Sequence, residues 1–191
     1  MIVTVATTNA GKLRELAALL GPRLELTAAP AEHDAPEENR DSYVENARTK
    51  ARALSARGGG AALADDSGLE VDALDGRPGV RSARYGGSAA ERNRQLLEEL
   101  RGRAGAARRA QFRTALVLVL DDGREFVAEG TCAGEIAEQP RGVGGFGYDP
   151  IFLVPALDKT FAELSSEEKN QKSARAAAAR ALLAELDRAG L

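Results

Sequence analysis

Apolar and polar residues fall into blocks along this chain, and the blocks predict most of its elements. Ile2-Val3-Thr4-Val5-Ala6 reads as a short buried strand. Leu13, Leu16, Ala17 and Leu20 then recur on one helical face until Gly21-Pro22 stops them. Leu24–Ala28 suits another short strand. After an acidic loop from Glu32 to Asp41, Ser42 caps a helix over roughly 43–57 that ends at Gly58-Gly59-Gly60. Ala61–Ala64 predicts a buried strand whose end delivers Asp65-Asp66-Ser67-Gly68. A glycine-rich stretch leads to a helix at about 89–101 behind Ser88, followed by an arginine-rich connector over 101–109. Phe112–Leu120 and Glu125–Thr131 flank Asp121-Asp122-Gly123 as a hairpin, with a further strand near 132–138. Ile151-Phe152-Leu153-Val154 predicts another strand. A short helix near 166–170 and an alanine-rich helix over about 173–188 complete the chain. Strands alternate with helices in the first half and a meander fills the second. The pattern predicts an α/β fold, with a mixed sheet flanked by helices.

Composition narrows the function more than the fold. The 191 residues suit a single domain, 1–191, or two intimately packed lobes, with no repeats and no separating linker. A net charge of −3 argues against a general nucleic-acid binder, yet leaves room for a small anion held by a few local cations. One cysteine, Cys132, cannot form an intrachain disulfide, and one histidine, His33, cannot supply a zinc site or a Ser-His-Asp triad alone. No membrane span or signal segment is apparent, so a cytoplasmic location is the expectation. Basic charge is carried by 21 Arg and only 5 Lys, and Lys12, Lys50 and Lys169 all fall in the segments singled out next.

Thr7-Thr8-Asn9-Ala10-Gly11-Lys12 is a strand-to-helix turn. Free N–H groups at a helix start, the dipole's positive end and the Lys12 ammonium can together hold an anion, although an ordinary capped helix start fits the same residues. Asp65-Asp66 sets two carboxylates side by side, which burial disfavours unless a cation offsets them. Magnesium, which takes one or two carboxylates with water and phosphate oxygens, is one such cation; a solvated turn is the other reading. Glu37-Glu38 and Glu45 are further candidate ligands. Gly144-Gly145-Phe146-Gly147-Tyr148-Asp149-Pro150 combines permissive backbone with two aromatics and a carboxylate, either a tight turn or a shelf for a planar base. Lys169 and Arg175 flank the joint between the last two helices, where they could be solvated or turned toward a ligand. The inventory is what hydrolysis of a purine nucleoside triphosphate needs.

The order and wording of five segments resemble the inosine triphosphate pyrophosphatase family: Thr7–Lys12, Glu37–Lys50, Ala64–Tyr85, Gly134–Pro155 and Lys159–Arg175. The resemblance implies an elongated mixed sheet with helices, two lobes and a central cleft, commonly in a homodimer. It implies magnesium-dependent cleavage of deaminated purine triphosphates (ITP, dITP, XTP) at the α–β anhydride, with no nucleic-acid or membrane partner. By resemblance, Asp66 is the general base and a metal ligand, joined by Glu38. Thr7, Thr8, Asn9, Ala10, Gly11, Lys12 and Lys50 hold the triphosphate, and Ser67 contacts the substrate. Phe146, Gly147, Tyr148 and Asp149 shape the base and sugar pocket, while Lys169, Ala174 and Arg175 address the base. At Ser173-Ala174-Arg175 the family usually reads Ser-His-Arg, so the imidazole expected beside Arg175 is absent. A pyrophosphatase for modified pyrimidine nucleotides and a non-catalytic nucleotide-binding module are the alternatives.

Overall fold

The central strands over Ala62–Val71 and Arg109–Val119 are buried on both faces, and the alternation of their side chains decides which helix each residue meets. The computed structural model describes residues 1–30, 36–37, 39–58 and 60–191. Among them, β1 (Ile2–Val5), β2 (Glu25–Ala28), β3 (Ala62–Val71), β4 (Arg109–Val119), β5 (Glu125–Ile136), β6 (Phe152–Val154) and β7 (Lys159–Thr160) pair in the order β2-β1-β3-β4-β5-β6-β7. β1 is parallel to both β2 and β3, whereas β6 is antiparallel to both β5 and β7. The sheet is therefore mixed, as the strand and helix order predicts. The described helices are α1 (Ala10–Leu20), α2 (Tyr43–Gly58), α3 (Ala89–Glu99), α4 (Ser166–Lys172) and α5 (Ala174–Arg188). None is long and apolar enough to cross a membrane.

The largest departures from the expected boundaries are in β3 and β5. β3 does not stop at Ala64 but runs through Asp65-Asp66-Ser67-Gly68 to Val71, so the aspartates lie inside a strand. Leu69 and Val71 restore apolar burial beyond the polar stretch and carry the strand onward. The separate strand expected near 132–138 is the continuation of β5, which runs unbroken from Glu125 to Ile136.

The described residues divide into two compact units. The first comprises Met1–Ser67, Thr114–Gly130 and Ala174–Leu191; the second comprises Gly68–Arg113 and Thr131–Ser173. In the first unit the alternation of the strands sorts the core. Val3, Val5, Leu63, Leu116 and Leu118 cluster with Leu16 and Leu20 of α1 and Ala178 and Leu182 of α5. Ala62, Ala64, Val117 and Val119 cluster instead with Ala47, Ala51 and Leu54 of α2. Successive strand residues thus face different helices. Gly130 lets α5 seat directly on β5: an added Cβ would lie 2.3 Å from Ala174 O and Ala178 N. The second unit packs Leu69, Val71, Leu96, Ile136, Ile151 and Phe152 around the Phe112–Phe152–Phe161 ring cluster.

Candidate active site

Asp65 and Asp66 inherit the two faces of β3 and so acquire different partners. Asp65 shares its face with Leu63 and Ser67, toward α1 and α5. Arg175 Nε donates to Asp65 Oδ2 at 2.9 Å, and its Nη2 reaches Oδ1 at 3.5 Å. Lys12 forms an ion pair with Oδ1. Ser67 Oγ donates to the same carboxylate at 3.0–3.1 Å, lies 3.0 Å from Thr114 Oγ1, and accepts from Arg175 Nη2 at 3.2 Å. Glu15, one helical turn beyond Lys12 on α1, pairs with Arg175 Nη1. Burial alone would raise the Asp65 carboxyl, but Arg175 and Lys12 outweigh it and hold the group well below the usual carboxylate range. The guanidinium responds in kind: burial works to lower Arg175, while Asp65 and Glu15 raise it. Asp65 is consequently a fixed anion with little affinity for a proton.

Asp66 points to the α2 face and is 3% exposed. Asn46 Nδ2 donates to its Oδ2 at 3.0 Å, and Lys50 Nζ lies 3.6 Å from Oδ1 while donating to the Asp65 backbone carbonyl at 2.7 Å. Asn46 is fixed in turn by Arg40, whose backbone carbonyl it bonds and whose N–H donates to its Oδ1. Asn46 and Lys50 are four residues apart on one helix, which sets both above the same strand residue.

The turn before α1 is organised by Asn9. Its Oδ1 accepts from Gly11 N at 2.9 Å and Lys12 N at 3.1 Å, and its own N–H donates to Thr7 Oγ1 at 3.1 Å. Two amides at the helix start are thereby satisfied by the cap. Thr8 and Ala10 are exposed beside it.

In the second unit the glycine-aromatic segment folds around Asp149, which is buried. Its Oδ2 accepts from Phe146 N at 2.7 Å and from Lys169 Nζ at 2.5 Å. Lys169 also sits 4.5 Å from the centroid of the Phe146 ring, a cation–π contact. The two aromatics part company. Tyr148 is buried, with its hydroxyl donated to Ser82 O at 2.9 Å, and burial raises its phenol. Phe146 is only half-buried. Gly145 has φ +71°, and an added Cβ would fall 2.0 Å from Asp149 Oδ2. Gly145→Ala is therefore expected to displace Asp149 from Phe146 N and Lys169. Together with the left-handed backbone this should lower stability by about 1–3 kcal/mol, read by urea unfolding; an unchanged midpoint would contradict the packing.

Residues 3–185 match the Ham1 family over nearly the whole chain. The chain belongs to that family. Its Ham1 relatives include a dITP/XTP pyrophosphatase of Thermus thermophilus, 50% identical over 187 residues, covering 96% of this chain and 90% of the relative. A dITP/XTP pyrophosphatase of Thioalkalivibrio sulfidiphilus is 47% identical over 97% of this chain and 98% of its own. Among solved structures, the Staphylococcus aureus Ham1 protein superposes with a TM-score of 0.86 at 39% identity, covering 99% of this chain and 100% of that one. A Coxiella burnetii HAM1 protein gives 0.85 at 37%, covering 98% and 99%.

Within this Ham1 chain the structure joins Lys12, Ser67 and Arg175 through Asp65, and Lys50 to Asp66, all in the first unit. It joins Phe146, Asp149 and Lys169 in the second. Ala174, 2% exposed, opens α5. Glu38 and His33 lie outside the described residues. Glu15, Asn46 and Thr114 were not anticipated. Asn46 and Lys50 had a signal, since they are polar residues at i, i+4 among the buried Tyr43, Ala47, Ala51 and Leu54 of α2. Thr114, which follows Gln111 and Arg113 at the polar start of β4, had none.

Proposed function

We propose that this chain hydrolyses dITP, XTP and the wider class of deaminated purine nucleoside triphosphates at the α–β anhydride, yielding the nucleoside monophosphate and pyrophosphate. The substrate class rests on the near-full-length match to dITP/XTP pyrophosphatases. The observation that carries the chemistry is the division of the aspartate pair. Asp65 is neutralised as a permanent anion, which leaves Asp66, fixed by Asn46 and Lys50, as the carboxylate that accepts a proton from the attacking water. The water oxygen bonds to the α-phosphorus as the bond to the bridging oxygen breaks and pyrophosphate leaves. Lys12 and Lys50, with the positive end of α1, offset the charge of the triphosphate.

Magnesium belongs to the same proposal. Among the described residues no three His, Cys, Asp or Glu side chains group as a metal site. One or two hard carboxylates suit a cation that takes its other ligands from phosphate oxygens and water. Asp66 would hold it, with Glu38 as the second acid. Bound there, it would polarise phosphate oxygens and neutralise developing charge. The homodimer implied by the resemblance and the cytoplasmic setting expected from the sequence are likewise proposed.

Phe146 provides a stacking face and Lys169 a donor for the O6 acceptor that hypoxanthine and xanthine carry and adenine lacks. A donor facing the adenine amino group has no partner, which permits discrimination approaching 10⁴–10⁵. The test is product analysis with dITP and XTP beside dATP. Pyrophosphate rather than orthophosphate is expected, with kcat/KM for dITP far above that for dATP. Equal values for the three substrates would sink base selection, and orthophosphate release would sink the α–β cleavage.

A further inference from the structure

Asn93 of α3 stands where an apolar residue would be cheaper. It shares its helix face with Leu96 and Leu97, three and four residues on, and is 7% exposed. Its Nδ2 donates to Gly147 O at 3.1 Å, yet its Oδ1 is buried with no hydrogen-bond partner among the described residues. The opposite amide orientation would set oxygen against oxygen, so the carbonyl of Gly147 dictates which end faces it. A buried acceptor without a partner costs stability, and a leucine here would avoid that cost. What the asparagine secures is one bond, to the peptide between Phe146 and Tyr148.

The neighbouring carbonyls are held by backbone bonds, Phe146 O by Asp149 N and Tyr148 O by Ile151 N and Phe152 N, whereas Gly147 O is held by Asn93. Gly147 has no side chain and sits at φ +62°. On one side the backbone is tied by Phe146 N to Asp149, and on the other the Tyr148 side chain is anchored by its hydroxyl to Ser82 O. The Gly147 carbonyl is the handle between these two ties, and α3, started by a Ser88–Glu91 capping box, presents the donor from a rigid element. We propose that Asn93 is a positioning residue for nucleobase recognition, fixing the Phe146–Gly147–Tyr148 backbone at the expense of its own unsatisfied carbonyl. This rests on the reading of the Phe146 segment as the base-recognition element.

The test compares Asn93→Leu with Asn93→Ala by three measurements: Tm, hydrogen exchange of residues 144–150, and steady-state kinetics on dITP and dATP. Leucine removes the orphan acceptor and fills the space, so its Tm should match or exceed that of the parent. Alanine opens a cavity and should lower Tm. Both should accelerate exchange in 144–150 by about tenfold or more and raise KM for dITP by about tenfold, with kcat within about threefold, because a ground-state contact shared with the transition state is lost. The same KM shift from variants whose Tm values move in opposite directions supports the proposal. Unchanged exchange in 144–150 overturns it, as does a loss confined to kcat or one that tracks Tm. Faster exchange with wild-type KM and selectivity shows a tether that does not serve recognition, and overturns it too. If the parent releases no pyrophosphate from dITP, the functional reading fails, and the exchange data alone still judge the tether.

Discussion

Asp66→Asn is expected to lower kcat by about 10²–10⁴-fold, the range for removing a positioned general base, while the protein stays folded. Asparagine keeps the shape and one acceptor oxygen for Asn46 or Lys50, but it carries no charge and cannot take a proton from water. The expected result is a loss in kcat and kcat/KM together, with circular dichroism close to the parent and a lower Tm, because the buried Lys50 loses its counter-charge. A variant that keeps wild-type turnover removes Asp66 as the base. The matched control is its neighbour. If Asp65→Asn lowers turnover per folded molecule more than Asp66→Asn does, the roles assigned to the two carboxylates are exchanged.

Asp65→Asn is expected to act first on stability. It strips Arg175 and Lys12 of their shared counter-charge, leaving the 6%-exposed guanidinium with Glu15 and Ser67. Removing one member of a buried ion pair costs about 3–5 kcal/mol, because the remaining charge is uncompensated. Urea unfolding at neutral pH reads this directly, and a shift below about 1 kcal/mol contradicts the network. The pH dependence follows with a definite sign. The folded-state pKa of Asp65 lies below the ordinary carboxylate value, so its contribution is complete above about pH 4 and is lost as pH falls toward the depressed folded value. Below about pH 4 the unfolded chain takes up a proton that the folded chain refuses. In EDTA-containing buffer, the parent should lose stability more steeply on acidification than Asp65→Asn; parallel acid limbs would assign the acid sensitivity to other carboxylates.

Local signals made much of the fold legible. Gly21-Pro22 ends α1, Ser88 begins α3 through a capping box, and the alanine-rich segment forms α5. The strand through Asp65 and Asp66 was harder to read, because charge inside a strand looks like a turn until its partners are known. Those partners, Arg175 and Lys12, lie 110 and 53 residues away, and no pattern within a window of residues carries that distance. The glycine-aromatic segment was recognisable from its composition. The split between a half-buried Phe146 and a core Tyr148 was not, since it depends on Ser82 and the neighbouring core. Asn93 escaped for a similar reason: its tie to Gly147 spans 54 residues.

The pleat of β3 has a further consequence for how such a protein changes over time. Two residues adjacent in the gene answer to different helices. Substitutions on α2 around Asn46 and Lys50 can retune reactivity, while those on α1 and α5 around Glu15 and Arg175 retune endurance, each with limited interference from the other. An insertion or deletion of one residue between Leu63 and Asp66 would swap the two neighbourhoods at a stroke. The strand should therefore tolerate exchanges of side chain far better than changes of length, and variation in catalytic rate and in heat resistance can accumulate along separate lines of descent.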